Sequence, residues 1–156
     1  MNNCPFCSQQ VQGSAFASEA GFLAVYNNSP ILPGHSLVIP DRHIKSLFEL
    51  TEDEISSFFS FARKITAFLS EYYKSEAYDW SLQEGESAGQ SVEHLHLHII
   101  PRKAGDLPEG EDWYIKLQEQ QSLPIDHSDR KVLNEWEYNS VSQSLKEKWQ
   151  ILNKLH

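Results

Sequence analysis

The 156 residues carry 13 Lys plus Arg against 22 Asp plus Glu, a formal net charge of −9, with 40% hydrophobic and 12% aromatic residues. That size and composition describe one globular domain able to bury a core without disulfide staples. The negative balance excludes the clustered positive surface that long nucleic acid requires, and no apolar run approaches the ~20 residues of a membrane helix. A small anionic ligand, held by local N–H groups, histidines and one or two cations, stays open.

The chain opens Met1-Asn-Asn-Cys-Pro-Phe-Cys7, without the basic and apolar regions of a signal peptide, and a cytoplasmic location is the expectation. A C-x-x-C pair in that setting points to metal or thiol redox chemistry rather than a structural disulfide, with an incidental pair as the third reading. Phe22–Tyr26 predicts a strand closed by Asn27-Asn-Ser-Pro30. The Pro33-Gly34 turn leads into a second strand, Ser36–Ile39, ending at Pro40. Thr51 and Glu54 form a capping box, and Ile55, Phe58, Phe59, Ala62, Ile65, Phe68 and Leu69 follow at helical spacing to about Tyr73. Tyr78–Gln83 alternates as a third strand, Glu84–Ser91 is a glycine-containing loop, and His94–Ile100 is a fourth strand stopped by Pro101. In the tail from Asp129, Leu145, Trp149 and Leu152 are spaced for an amphipathic terminal helix. This mixture predicts an α+β domain, an antiparallel sheet with one long helix plus a C-terminal helix. Residues 1–120 form its body, and 121–156 a helical extension packed on the same domain.

The chemistry concentrates in His94-Leu-His-Leu-His-Ile-Ile100. Alternation along a strand puts the three imidazoles on one face and Leu95, Leu97 and Ile99 on the other. The apolar face can enter the core while the histidines line a surface cleft. Same-face neighbours lie ~6.6 Å apart, close enough to surround one phosphoryl group. Imidazoles titrate near neutrality, and such a cluster can supply both a neutral nucleophile and a proton donor. A half-buried strand with a histidine face, or a metal site, gives the same pattern.

The surroundings of this segment resemble the histidine-triad family, its fragile-histidine-triad branch in particular. The resemblance rests on His94–Ile100, on Glu86-Ser-Ala-Gly-Gln-Ser-Val92 before it and on Pro101-Arg-Lys-Ala-Gly-Asp106 after it. Upstream it includes Asn27-Asn-Ser-Pro-Ile-Leu-Pro-Gly-His35 and Leu37–Pro40, and together these motifs fall in register over roughly residues 4 to 116. The resemblance implies that His96 is a nucleophile that becomes transiently nucleotidylated. It implies that His98 contacts the phosphate and helps place the leaving group, and that His35 is a buried partner orienting a triad imidazole. Asn27 then holds the ribose, Gln83 contacts the phosphate region, and Gly89, Gln90, Ser91 and Val92 form the phosphate loop. Each also has a plain reading: a turn residue at Asn27, a strand-edge polar group at Gln83, a positive φ at Gly89. Tyr114 matches a tyrosine near the substrate in some members but reads better as an exposed aromatic. Arg102 and Lys103 are either attractors of polyphosphate or solvated charges.

A structural zinc ion needs two ligands beyond Cys4 and Cys7. The pattern resembles that of zinc-bearing histidine-triad proteins, which implies His43 as the third ligand and His94 as the fourth, leaving His96 and His98 for chemistry. The function the resemblance implies is hydrolysis of dinucleoside polyphosphates of the diadenosine tri- or tetraphosphate type, with magnesium as a candidate escort of the substrate, in a homodimer. A nucleoside phosphoramidase or other nucleotidyl hydrolase or transferase is the first alternative. A non-catalytic nucleotide-binding signalling protein is the second.

Overall fold

The computed structural model describes residues 4–123, 129 and 131–155. Its centre is a five-stranded antiparallel sheet in the order β1-β2-β3-β5-β4, built from β1 (Ala17–Glu19), β2 (Phe22–Tyr26), β3 (Ser36–Pro40), β4 (Ala77–Leu82) and β5 (Leu97–Arg102). Helix α1 (Gln9–Gly13) precedes the sheet, and α2 (Glu52–Tyr73) links β3 to β4. Helices α3 (Trp113–Ser122) and α4 (Glu135–Lys154) follow β5. Among the described residues no helix is long and apolar enough to cross a membrane.

The long helix starts where the sequence places it. Thr51 accepts the Glu54 N–H while Glu54 reaches back to the Thr51 N–H, and Glu52, Asp53 and Glu54 sit against the positive end of the helix dipole. It ends at Lys74 in the left-handed region. Phe58, Phe61, Ala62, Ile65, Phe68 and Leu69 are buried with Val38, Leu97 and Ile99 from the sheet and Leu95 just before β5. Thr66 ties helix to sheet, donating to Ala62 O and accepting the Trp80 indole N–H, both at 2.8 Å. Helix α4 closes the same core with Tyr138 and Leu145, and Trp149 meets Phe68 edge-on at 5.2 Å.

The other face of the sheet carries a smaller cluster, Val25, Leu37 and Ile39, covered by Phe6, Val11 and Ala15 of the N-terminal segment. The triad histidines share this second face, since Leu37 pairs with His98. Leu95, Leu97 and Ile99 face the main core as the alternation predicts.

Two details of the fourth predicted strand differ. Regular pairing begins at Leu97 rather than His94, because the even-numbered residues of β3 face β5 and Pro40 brings no N–H to continue that ladder. The chain peels away, and the Leu95 N–H donates to Ile44 O instead. At the other end Pro101 does not stop the strand. The ladder with β3 already ends at Ile99, leaving no β3 residue for its missing N–H, while pairing with β4 continues to Arg102. The turn before β3 is tight enough to require glycine. Gly34 has φ 93°, and a Cβ there would stand 2.8 Å from both Pro101 and Tyr73.

Candidate active site

His94, His96, His98 and His35 are 0%, 2%, 3% and 0% exposed, so the triad does not line an open surface cleft as the sequence suggests. The N-terminal segment and the loop before β3 cover that face. Burial holds each of these rings below the usual imidazole range, His35 down to about 3, with the neighbouring His96 adding to the effect at His35. Four neutral rings must each carry one proton, and the hydrogen bonds decide where.

The Ile31 N–H donates to His35 Nδ1 at 3.1 Å, which makes Nδ1 the lone-pair nitrogen and puts the ring proton on Nε2. That Nε2–H donates to His98 Nδ1 at 2.9 Å. His98 must then carry its own proton on Nε2, and this buried atom has no partner among the described residues. His96 is arranged the opposite way. Its Nδ1–H donates to the His94 carbonyl at 2.7 Å, leaving the Nε2 lone pair free. The two rings lie 5.0 Å apart, centroid to centroid. One buried face therefore presents a lone pair on His96 beside an unpaired N–H on His98, the pairing a nucleophile and a phosphoryl-oxygen donor need.

Asn27 stands at the mouth of the same chain of bonds. Its Oδ1 accepts the Ser29 N–H at 2.9 Å, and its Nδ2 lies 3.2 Å from His35 Nε2. Both of those nitrogens carry hydrogen, so the contact is not a hydrogen bond, and the Asn27 N–H groups need an acceptor from elsewhere. Gln83, 6% exposed, has no partner for Oε1, and Gln90 none for its buried Nε2. Three of the five unsatisfied buried side-chain atoms among the described residues thus fall on Gln83, Gln90 and His98. Native proteins leave few such atoms unpaired without a ligand to meet them.

The loop between β4 and β5 is folded back on itself. Gly85 N–H donates to Gln90 Oε1 at 2.7 Å, and Gln90 N–H donates to Gly85 O at 3.2 Å. Gly89 takes φ 92°, and a Cβ there would lie 2.9 Å from Gln83 Nε2. Ser91 is exposed and Val92 half-buried, with Val92 O accepting the His94 N–H at 2.8 Å. Tyr114, first turn of α3, is closer to the site than an ordinary surface aromatic, since Gln83 Nε2 donates to its hydroxyl at 3.5 Å. Arg102 is not a free attractor of anions. It holds Asp106 through two bonds of 2.7 and 2.9 Å and Asp79 through one of 2.7 Å, carboxylates that push its pKa up.

A second cluster adjoins the first. The ligand atoms of Cys4, Cys7, His43 and His94 all lie within 4.8 Å of one another, a group that could hold a metal ion. Cys4 Sγ and Cys7 Sγ stand 3.4 and 3.5 Å from His94 Nδ1, and Cys7 Sγ stands 3.4 Å from His43 Nδ1. His94 Nε2–H donates to Pro40 O at 3.0 Å, which turns the Nδ1 lone pair toward the sulfurs, as metal-ligating imidazoles are held. Without a cation, burial and the neighbouring Cys4 push the Cys7 thiol up to about 11; a divalent ion would reverse this by holding thiolates. Phe6, between the two cysteines, packs edge-on against His94 and His96 at 5.7 and 5.3 Å. Nothing in the sequence spacing signals that contact.

The HIT domain family model matches residues 8–105. A bis(5'-adenosyl)-triphosphatase of Dictyostelium discoideum is 35% identical over 105 residues, covering 67% of this chain and 70% of that protein. An asymmetrical bis(5'-nucleosyl)-tetraphosphatase of Schizosaccharomyces pombe is 36% identical over 126 residues, covering 78% and 69%. Other curated relatives are longer, and the chain spans 54% of one from Arabidopsis thaliana and 43% of one from Saccharomyces cerevisiae. Among solved structures, a hypothetical histidine triad nucleotide-binding protein of Sulfolobus tokodaii aligns with TM-score 0.72 and 25% identity over 96% of this chain and 93% of that one. The matched span runs through Asn27, His35, the loop of Gly89 and the whole triad, the same residues the buried bonds bring together. By that match, the chain belongs to the HIT domain family.

Proposed function

We propose that the chain hydrolyses dinucleoside polyphosphates through a covalent nucleotidyl intermediate on His96. The observation that carries this reading is the proton arrangement on the buried face, a lone pair on His96 Nε2 beside an unpaired N–H on His98 Nε2. The relatives named as triphosphatase and tetraphosphatase supply the substrate class. His96 Nε2 forms a bond to the α-phosphorus as the bridging P–O bond breaks, and the remaining nucleotide leaves as a phosphate anion that needs no proton near neutrality. Water then attacks the same phosphorus, the P–N bond breaks, and a nucleoside monophosphate is released with the water's proton passing to solvent. His98 Nε2–H and the N–H groups of the Gly85–Val92 loop stabilise the equatorial oxygens, and Gln90 turns its unpaired Nε2–H to the same charge; Gln83 borders the phosphate through its Nε2–H group, since its unpaired Oε1 is an acceptor. Asn27 meets the ribose hydroxyls with the N–H groups that lack an acceptor among the described residues.

The second cluster is read as a structural zinc site of Cys4, Cys7, His43 and His94. Tetrahedral zinc, with bonds of about 2.3 Å to sulfur and 2.0–2.1 Å to nitrogen, sets sulfur and nitrogen ligands ~3.6 Å apart, close to the distances above. Its role is to pin the N-terminal segment, and magnesium, where present, arrives with the substrate. Reduced thiolates in such a site suit a cytoplasmic location. The unpaired edge of β4, with Tyr78 54% exposed, supports a homodimer in which that edge meets a second copy.

The test compares kcat/KM for diadenosine tri- and tetraphosphate against an adenosine phosphoramidate, in wild type and in His96→Asn. Expected are a preference for the dinucleotides and a loss of several orders of magnitude in kcat with binding retained. A preference for the phosphoramidate overturns the substrate class. Retention of more than about a tenth of wild-type kcat, under ~1.4 kcal/mol, overturns the covalent route.

A further inference from the structure

The metal cluster and the catalytic face touch through one side chain. Phe6 is the second of the two residues between Cys4 and Cys7, in a 3-10 turn opened by Pro5 and closed by the Cys7 N–H donating to Cys4 O at 3.1 Å. Its ring is pressed edge-on to His96 at 5.3 Å and to His94 at 5.7 Å, and it rests on the Val25, Leu37 and Ile39 cluster. His96 is thereby enclosed, with Phe6 on one side and His98 on another, 5.0 Å away.

A single bond from Nδ1–H to the His94 carbonyl aims the ring of His96 but leaves it free to tilt about that bond. An aromatic edge in contact removes that freedom. Both anchors of His96 lead back to the same four residues: the carbonyl belongs to His94, itself in the cluster, and the phenyl ring hangs between two cysteines of the cluster. We propose that Phe6 is a positioning residue for His96, and that metal bound by Cys4, Cys7, His43 and His94 holds Phe6 in place and so sets the turnover rate. The inference rests on the reading of His96 as nucleophile. In-line attack on phosphorus tolerates little angular error, and a misplacement on the order of 1 Å costs up to about a hundredfold in rate.

The experiment uses full-length protein, with metal content measured for every sample. Phe6→Leu keeps an apolar side chain and both cysteines while removing the ring, and is expected to retain metal while kcat falls about tenfold and KM stays within ~twofold. Phe6→Tyr keeps the ring edge and restores kcat to within ~threefold of wild type. A readout independent of activity is the His96 Nδ1 proton by NMR, sharp in the metal-loaded wild type because its donor is buried. It broadens in Phe6→Leu and in wild type stripped with a chelator. A kcat of Phe6→Leu within ~twofold of wild type overturns the positioning role, and an effect confined to KM makes Phe6 a substrate contact instead. An unchanged Nδ1 resonance after stripping, or a protein that carries no metal, overturns the coupling. Activity persisting in His96→Asn would instead sink the underlying mechanism, an outcome separate from all of these.

Discussion

His35 is the residue on which the His98 proton turns, because its Nδ1 accepts a backbone N–H and its Nε2–H then donates to His98 Nδ1. Sequence spacing brought His35, His96 and His98 forward through resemblance, but the directions of their protons follow from Ile31 and the His94 carbonyl, backbone groups no motif records. The burial that fixes them has a consequence for stability. His35 is neutral in the folded chain down to about pH 3, whereas the same ring in the unfolded chain takes a proton near pH 6.5. Its contribution is therefore fully present above about pH 6.5 and is lost as pH falls from there toward 3, by up to ~1.4 kcal/mol per pH unit. His98 and His96, also lowered by burial, act in the same direction. Urea unfolding of wild type and His35→Asn between pH 7 and 4.5 measures the difference: the wild-type slope should be steeper by about one proton. Equal slopes would mean that His35 is charged in the folded chain and that the tautomer sequence is wrong.

At the scale of elements, those with strong local signals were legible. The Thr51 capping box, the apolar stripe of α2, the strands Phe22–Tyr26 and Ser36–Pro40 and the Leu145–Trp149–Leu152 stripe of α4 appear where the pattern puts them, whereas the strand carrying the triad is shifted toward Arg102. Helix α3 was not legible, since Leu117 alone is buried along Trp113–Ser122 and no apolar period marks it. Nor were β1, three residues long, and α1, five residues with one apolar side chain. The sequence marks Glu84–Ser91 as a loop but gives no sign of its contact with Gln83. That contact makes Gly89 the sharpest probe of the loop. An alanine at φ 92° carries strain of order 1–3 kcal/mol, and its Cβ would press on the Gln83 amide. Gly89→Ala should thus lower kcat/KM roughly ten- to a hundredfold while Gln83→Ala in the same background adds little further loss, the signature of coupled sites. Full additivity of the two substitutions in kcat/KM would separate the loop from Gln83.

On the scale of the whole molecule, the tail beyond Ser122 has no counterpart in the motifs, yet its residues 131–155 are built into both the core and the site. Leu145 of α4 is fully buried in the main core, and Ser14 Oγ and the Tyr138 hydroxyl share a hydrogen bond of 2.7 Å that joins α4 to the end of α1. The segment before α4 reaches the loop that carries Asn27: the Leu133 N–H donates to Asn28 O at 2.8 Å, and Ser29 Oγ donates to Lys131 O at 2.8 Å. With these ties, a single cooperative unit is expected rather than a domain with an appendage. Removing the Leu145 side chain beyond Cβ leaves a cavity where α4 meets the sheet, a cost of ~2–5 kcal/mol. For a single unit that cost lowers the midpoint of one transition, and tryptophan fluorescence, which samples Trp80 as well as Trp149, must report the same midpoint as far-UV circular dichroism. Leu145→Ala should therefore unfold in one step at lower denaturant with an unchanged m-value. Two resolved steps, with helix signal lost before the sheet-side tryptophan responds, would show the extension unfolding on its own.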